Sequence, residues 1–118
     1  MLLAVPVKGE DGLEALVDHH FSRAPYYLLY ETGDGAVRTV RNISAQARGQ
    51  HEGPIEQLYD AGVRAIACSG IGPAAIDFAA ELGIPVCFGR ARTAGELIEK
   101  YREGGLESLA DGSPCQPP

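Results

Sequence analysis

Residues Leu2 to Val7 read LLAVPV, six apolar side chains in succession with no polar position among them. A strand with one face in water alternates apolar and polar residues, so an unbroken run of this length fits a strand covered on both faces. Such a strand needs packed layers above and below its sheet, which points to an α/β fold.

The rest of the chain supplies candidates for those layers. Tyr26 to Glu31 and Val37 to Asn42 flank Gly33-Asp34-Gly35, whose glycines can take the positive φ of a tight turn. These two segments are expected to form an antiparallel hairpin. After residue 43 helix and strand patterns alternate, the signature of parallel βαβ units with right-handed crossovers. A first helix is expected over Pro54 to Ala61, with Ile55, Leu58 and Tyr59 on one face and Gly62 as its stop, and a strand follows over Arg64 to Cys68. Pro73 opens a second helix expected to bury Ile76, Ala79, Ala80 and Leu82; Gly83 ends it and Pro85 to Phe88 is the fifth strand. Thr93-Ala94-Gly95-Glu96 has capping-box spacing, and Leu97, Ile98 and Tyr101 form the inward stripe of a third helix ending at Gly104-Gly105. With the hairpin on one side of the first strand and the crossovers on the other, the expected spatial order is 3-2-1-4-5 with strand 2 antiparallel. That is a ribonuclease H-like α/β arrangement: a mixed five-stranded sheet with flanking helices, in three layers.

A chain of 118 residues with 45% hydrophobic content fits one core, so a single domain over 1–109 is expected. The tail DGSPCQPP, residues 110–118, lacks the apolar content to order itself and is expected to be flexible. Ten Lys and Arg against sixteen Asp and Glu leave a net charge of -6, which provides no basic field for nucleic acid or an anionic membrane. The start MLLAVPVKGED has neither the basic region of a signal peptide nor the length of a spanning helix, so a cytoplasmic protein is expected. Three cysteines without a short-range pair fit free thiols in a reducing compartment.

Loops that follow parallel strands collect at one sheet edge. Lys8 to Gly12, Ser69-Gly70-Ile71-Gly72 and Gly89 to Arg92 belong there. The antiparallel second strand begins at the same edge and brings His20, Phe21, Ser22 and Arg23. The third strand ends there, so Gln50-His51-Glu52-Gly53 leads into the first helix from that side. His20, His51 and Cys68 are thereby expected on one rim. His20 is either a metal ligand or a loop cap, His51 a ligand or a cap for helix amides, and Cys68 a thiolate ligand or a small core residue. Thiolate with imidazole would suit iron-sulfur or zinc chemistry better than magnesium or calcium. Ser69 to Gly72 places free amides and the positive end of a helix dipole at the rim, which suits an anion; a glycine turn required by the crossover explains the same residues. Arg23, Arg90 and Arg92 add positive charge nearby. In an extended segment His19 points away from His20, into solvent. Cys87 lies mid-strand in the core, while Cys115 is an exposed thiol or a clip for a cluster. Glu96, Glu99, Lys100 and Glu103 read as a solvated face of the third helix.

The stretches HHFSRAPYYLLYE, SGIGPAAIDFAAELGIPV and RTAGELIEKYREGGLE resemble the dinitrogenase iron-molybdenum cofactor family, which includes NifX, NafY and the C-terminal domain of many NifB proteins. The resemblance extends to about Leu109 and itself implies a ribonuclease H-like fold. It also implies a carrier that binds an iron-sulfur precursor or an iron-molybdenum cofactor and exchanges it with cofactor-assembly proteins, without catalysing a turnover. The histidine of the family's HF motif falls on His20, which implies a metal ligand there. The chain departs from the family at Ser22 and near Ser69, where glycine is common, and retains only His51 and Gly53 of a loop often rich in His and Gly. These departures suit an alternative, a non-catalytic regulatory or interaction domain that takes a small anion or a partner at the same rim without metal. A two-metal nuclease is disfavoured because it needs clustered carboxylates, typically one from the middle of the first strand, where LLAVPV has none.

Overall fold

The computed structural model describes residues 1–43 and 53–109. Gln50, His51 and Glu52 of the expected rim loop, and the tail 110–118 with Cys115, lie outside the described residues. The elements are β1 (Leu2–Val7), β2 (Tyr26–Glu31), β3 (Val37–Arg41), α1 (Gly53–Asp60), β4 (Val63–Cys68), α2 (Pro73–Glu81), β5 (Val86–Phe88), α3 (Ala94–Arg102) and β6 (Glu107–Ser108). They form one mixed sheet in the order β3-β2-β1-β4-β5-β6. β1 pairs antiparallel with β2, Val5 opposite Leu28, and parallel with β4, Ala4 opposite Ile66.

The sheet therefore has six strands, not the expected five. α3 is closed by Gly104 at φ 73°, and the amide of Gly105 donates back to the carbonyl of Lys100 at 2.8 Å. This turn sends the chain back over the sheet edge, Leu106 is buried beside Leu97, and β6 then pairs antiparallel with β5. A two-residue polar strand on an edge has no periodicity of its own, so nothing in Glu107-Ser108 marks it as a strand.

Both faces of the sheet are covered, as LLAVPV demands. Leu3, Val5 and Val7 meet Leu97, Ile98 and Tyr101 of α3 on one face. Ala4, Leu29 and Ile66 meet Ile55 and Leu58 of α1 and Ala75 and Ala79 of α2 on the other. The buried stripe of α2 is Ala75 and Ala79, whereas Ala80 is exposed and Ile76 half-buried, which corrects the expected face. Alanines spaced i, i+4 occupy the line of contact, and Phe78 and Leu82 flank it. Cys68 is a free thiol. Cys87, in the core, is not, which corrects the expectation of free thiols throughout. Among the described residues no helix is long and apolar enough to cross a membrane.

The segment after β1 folds back along it. The amide of Asp18 donates to Pro6 and that of Lys8 to Leu16, each at 2.9 Å. On its other side the amide of Val17 donates to Arg92 at 3.0 Å, and that of Ala94 to Ala15 at 2.9 Å. This strap ties the end of β1 to the start of α3 and delivers residues 19–23 to the rim.

The expected capping box is formed: Thr93 Oγ1 accepts from the Glu96 amide at 3.3 Å, and Glu96 Oε2 accepts from Thr93 and Arg92 at 3.2 and 2.9 Å. Those two amides, Thr93 first, hold the Glu96 carboxyl below the usual carboxylate range. A depressed folded pKa contributes stability that is complete above the unfolded pKa and lost as pH falls through the folded one. Thr93→Ala is expected to cost about 1 kcal/mol in urea unfolding at neutral pH. Glu96→Gln should flatten part of the loss of stability on acidification, and identical acid-side slopes in wild type and variant would show that the cap carries no such linkage.

Candidate functional site

The rim is built on an anchored loop. Phe21 to Arg23 form a single 3-10 turn, with the Arg23 amide donating to the carbonyl of His20 at 3.1 Å. The Phe21 ring is buried in the face shared with α1 and α2, 5.3 Å from the ring of Tyr27 and tilted 46° to it. The Tyr27 hydroxyl donates to the carbonyl of Phe21 at 2.6 Å. Burial, and secondarily Asp18, push its pKa up, so it remains a donor. Asn42, a buried polar residue just past β3, sends Nδ2 to the carbonyls of Ala24 and Ser22 at 2.8 and 3.0 Å and to the Tyr27 hydroxyl at 3.1 Å. On this base stands His20, its side chain 75% exposed. Asp18 Oδ1 accepts the His20 amide at 2.8 Å and lies 3.6 Å from its Nδ1.

The turn from β4 to α2 presses against this loop. A Cβ on Gly70 would stand 2.2 Å from the carbonyl oxygen of His19, a distance that only glycine avoids. Next to it, His19 Nδ1 lies 2.7 Å from Ser69 Oγ. Gly72 is the N-cap of α2 and no side chain caps that helix start. Two depressions flank the contact. One of about 230 Å³ is lined by His19, His20, Phe21, Ser22, Arg23, Ile71 and Gly72. The other, about 520 Å³, is lined by His19, Ser69, Phe88, Arg90 and Ala91. Lys100 Nζ donates to the carbonyl of Arg90 and holds that loop in place.

His20, Phe21, Arg23, Ile71 and Gly72 thus gather at the smaller depression and Ser69 at the larger, while Gly70 is the point of contact between the loops. Cys68 is not brought to the rim. It is fully buried with Phe21 and Ile66, and burial pushes its thiol up to about 12 against the opposing hydrogen bond from Gly70. His19 is exposed, as expected, and one nitrogen of its ring meets Ser69. The α3 face is also more than solvated surface, because Glu96 caps the helix and Lys100 holds the Arg90 loop. Asn42 was missed, its only signal being an amide side chain at the end of a hairpin strand. Among the described residues no group of three His, Cys, Asp or Glu could hold a metal ion.

The family model described as dinitrogenase iron-molybdenum cofactor matches residues 1–104. The chain belongs to that family. Within reach of it, a Thermotoga protein put forward as a NifB protein of the DUF35 family shares 32% identity, with a TM-score of 0.80 and 92% of each chain covered. The apo form of the orange protein from Desulfovibrio gigas has the same fold, with a TM-score of 0.84 at 23% identity over 92% of each chain. An uncharacterised protein of Methanocaldococcus jannaschii is 29% identical over 94 residues, which are 76% of this chain and 80% of that one.

Two outcomes test the geometry of this family member. Gly70→Ala should cost about 1–3 kcal/mol, as expected of an overpacked contact, and shift the amide resonances of residues 19–23 and 69–72 while leaving α3 unchanged. Alkylation at pH 8, mapped by mass spectrometry, should leave Cys68 unmodified in the folded protein; rapid labelling would place its thiol at the surface.

Proposed function

We propose that the chain is a carrier that takes an anionic iron-sulfur or iron-molybdenum type cluster as cargo at this rim, in the cytoplasm, and exchanges it with cofactor-assembly proteins. The observation that carries the reading is the exposed imidazole of His20 on a backbone locked by Phe21, Tyr27 and Asn42, above the uncapped start of α2. His20 supplies a nitrogen donor to iron. Amides and the dipole at the start of α2, with Arg23, face the negative charge of the cluster. Family membership supports the choice of cargo. With one or two protein donors most of the cluster's coordination stays open, which lets a carrier release it.

The alternative, a domain that binds a small anion or a partner without metal, draws support from the withdrawal of Cys68 into the core. Anaerobic incubation with a four-iron, four-sulfide cluster supplied as its thiolate complex, followed by desalting and assay of iron and sulfide, separates the two. Wild type should retain both elements, and His20→Ala should lose most of them while keeping its circular dichroism, since the ring packs against little. Protein that binds inorganic phosphate but never retains iron would favour the metal-free reading.

A further inference from the structure

His19 and Ser69 meet across the rim although 50 positions separate them in sequence, with Nδ1 2.7 Å from Oγ. The hydroxyl engages one ring nitrogen and leaves Nε2. Behind the ring, the His19 carbonyl packs so closely on Gly70 that no side chain fits between them. In front, His19 borders both depressions: it shares the smaller with His20 and the larger with Arg90. A histidine that donates its Nδ1–H to an oxygen carries its lone pair on Nε2, and metal-binding histidines are ordinarily held in this way by an outer partner. Arg90 has its carbonyl anchored by Lys100, and its guanidinium makes no ion pair among the described residues.

We propose that His19 is a second imidazole ligand of the carried cluster, with Ser69 as the positioning residue that sets its tautomer and Arg90 meeting the charge of a cargo that extends into the larger depression. This rests on reading the rim as the cargo site. It adds that the cargo is gripped by two adjacent imidazoles from one side, which leaves the opposite side free for the protein that receives it.

The test uses the reduced four-iron cluster bound to the full chain, with pulsed electron paramagnetic resonance counting the coupled imidazole nitrogens. Wild type should show two distinct couplings, and His19→Ala and His20→Ala one each. His19→Asn, which can keep a hydrogen bond to Ser69, should also lose one coupling while the fold is retained. Ser69→Ala should weaken retention about tenfold, the size expected for loss of an outer-shell partner. Long-range proton–nitrogen NMR of the apo protein should find the His19 proton on Nδ1. A single coupling that survives in His19→Ala and vanishes in His20→Ala would overturn this proposal and leave the carrier reading intact. A wild type that takes up no cluster overturns both, and a proton on Nε2 of His19 in the apo protein overturns the role given to Ser69.

Discussion

β1 pairs antiparallel with β2 on one side and parallel with β4 on the other, and Leu3, Ala4, Val5 and Val7 are fully shielded from solvent. Burying each large aliphatic side chain of such a strand is worth about 1.5–3 kcal/mol, so this placement is strongly held. The reversal of direction at β1 then decides what can meet at the rim. The end of β4 and the start of β2 lie at the same edge, and so the Ser69–Gly72 turn faces residues 19–23. Were β2 parallel to β1, the segment preceding it would lie at the opposite edge and the Gly70–His19 contact would not exist.

Contact alone would not fix the rim, because exposed loops between strands are ordinarily mobile. Here the loop is nailed down from beneath. Removing a buried aromatic such as Phe21 costs about 3–5 kcal/mol, and each buried acceptor that loses its donor costs about 1–3 kcal/mol more. Asn42 spans three acceptors in this loop and its Tyr27 support. The result is a rigid base under an exposed imidazole, which is the arrangement in which a ligand is bound without first ordering the loop.

Most of this scaffold was legible because it is written in periodicity. LLAVPV, the Gly33-Asp34-Gly35 hairpin and the Pro- and Gly-bounded helices each carry a local pattern, and the order 3-2-1-4-5 follows from their succession. β6 was not legible, since Glu107 and Ser108 pair only because the Gly104 turn returns the chain to a free edge. At the site, topology brought His20, Arg23 and the Ser69–Gly72 turn to one edge, but it says nothing about which way a side chain points. Nor does it say what a side chain meets: His19 is exposed as expected, but its contact with Ser69 has no signal in the sequence. Of the two readings left open for Cys68 the core one holds, because it ends a strand whose last side chain faces the helix layer. Asn42 has no motif, because its role depends on carbonyls that only the fold assembles.

The withdrawal of Cys68 bears on what kind of grip the rim can exert. Its thiol sits among apolar side chains and titrates near 12, so ionising it to ligate iron would place a charge in the core with little beyond the Gly70 amide to meet it. What the described residues offer at the surface are imidazoles, amide dipoles and guanidinium groups. Thiolates hold iron-sulfur clusters for the long term, whereas a nitrogen donor or two, helped by screened surface charge, bind more weakly and let go more readily. A thiolate kept at the rim would add a stronger ligand and slow the release of a cluster. On the proposed reading, burying that thiol and presenting imidazoles above it is what makes this one able to hand its cargo on.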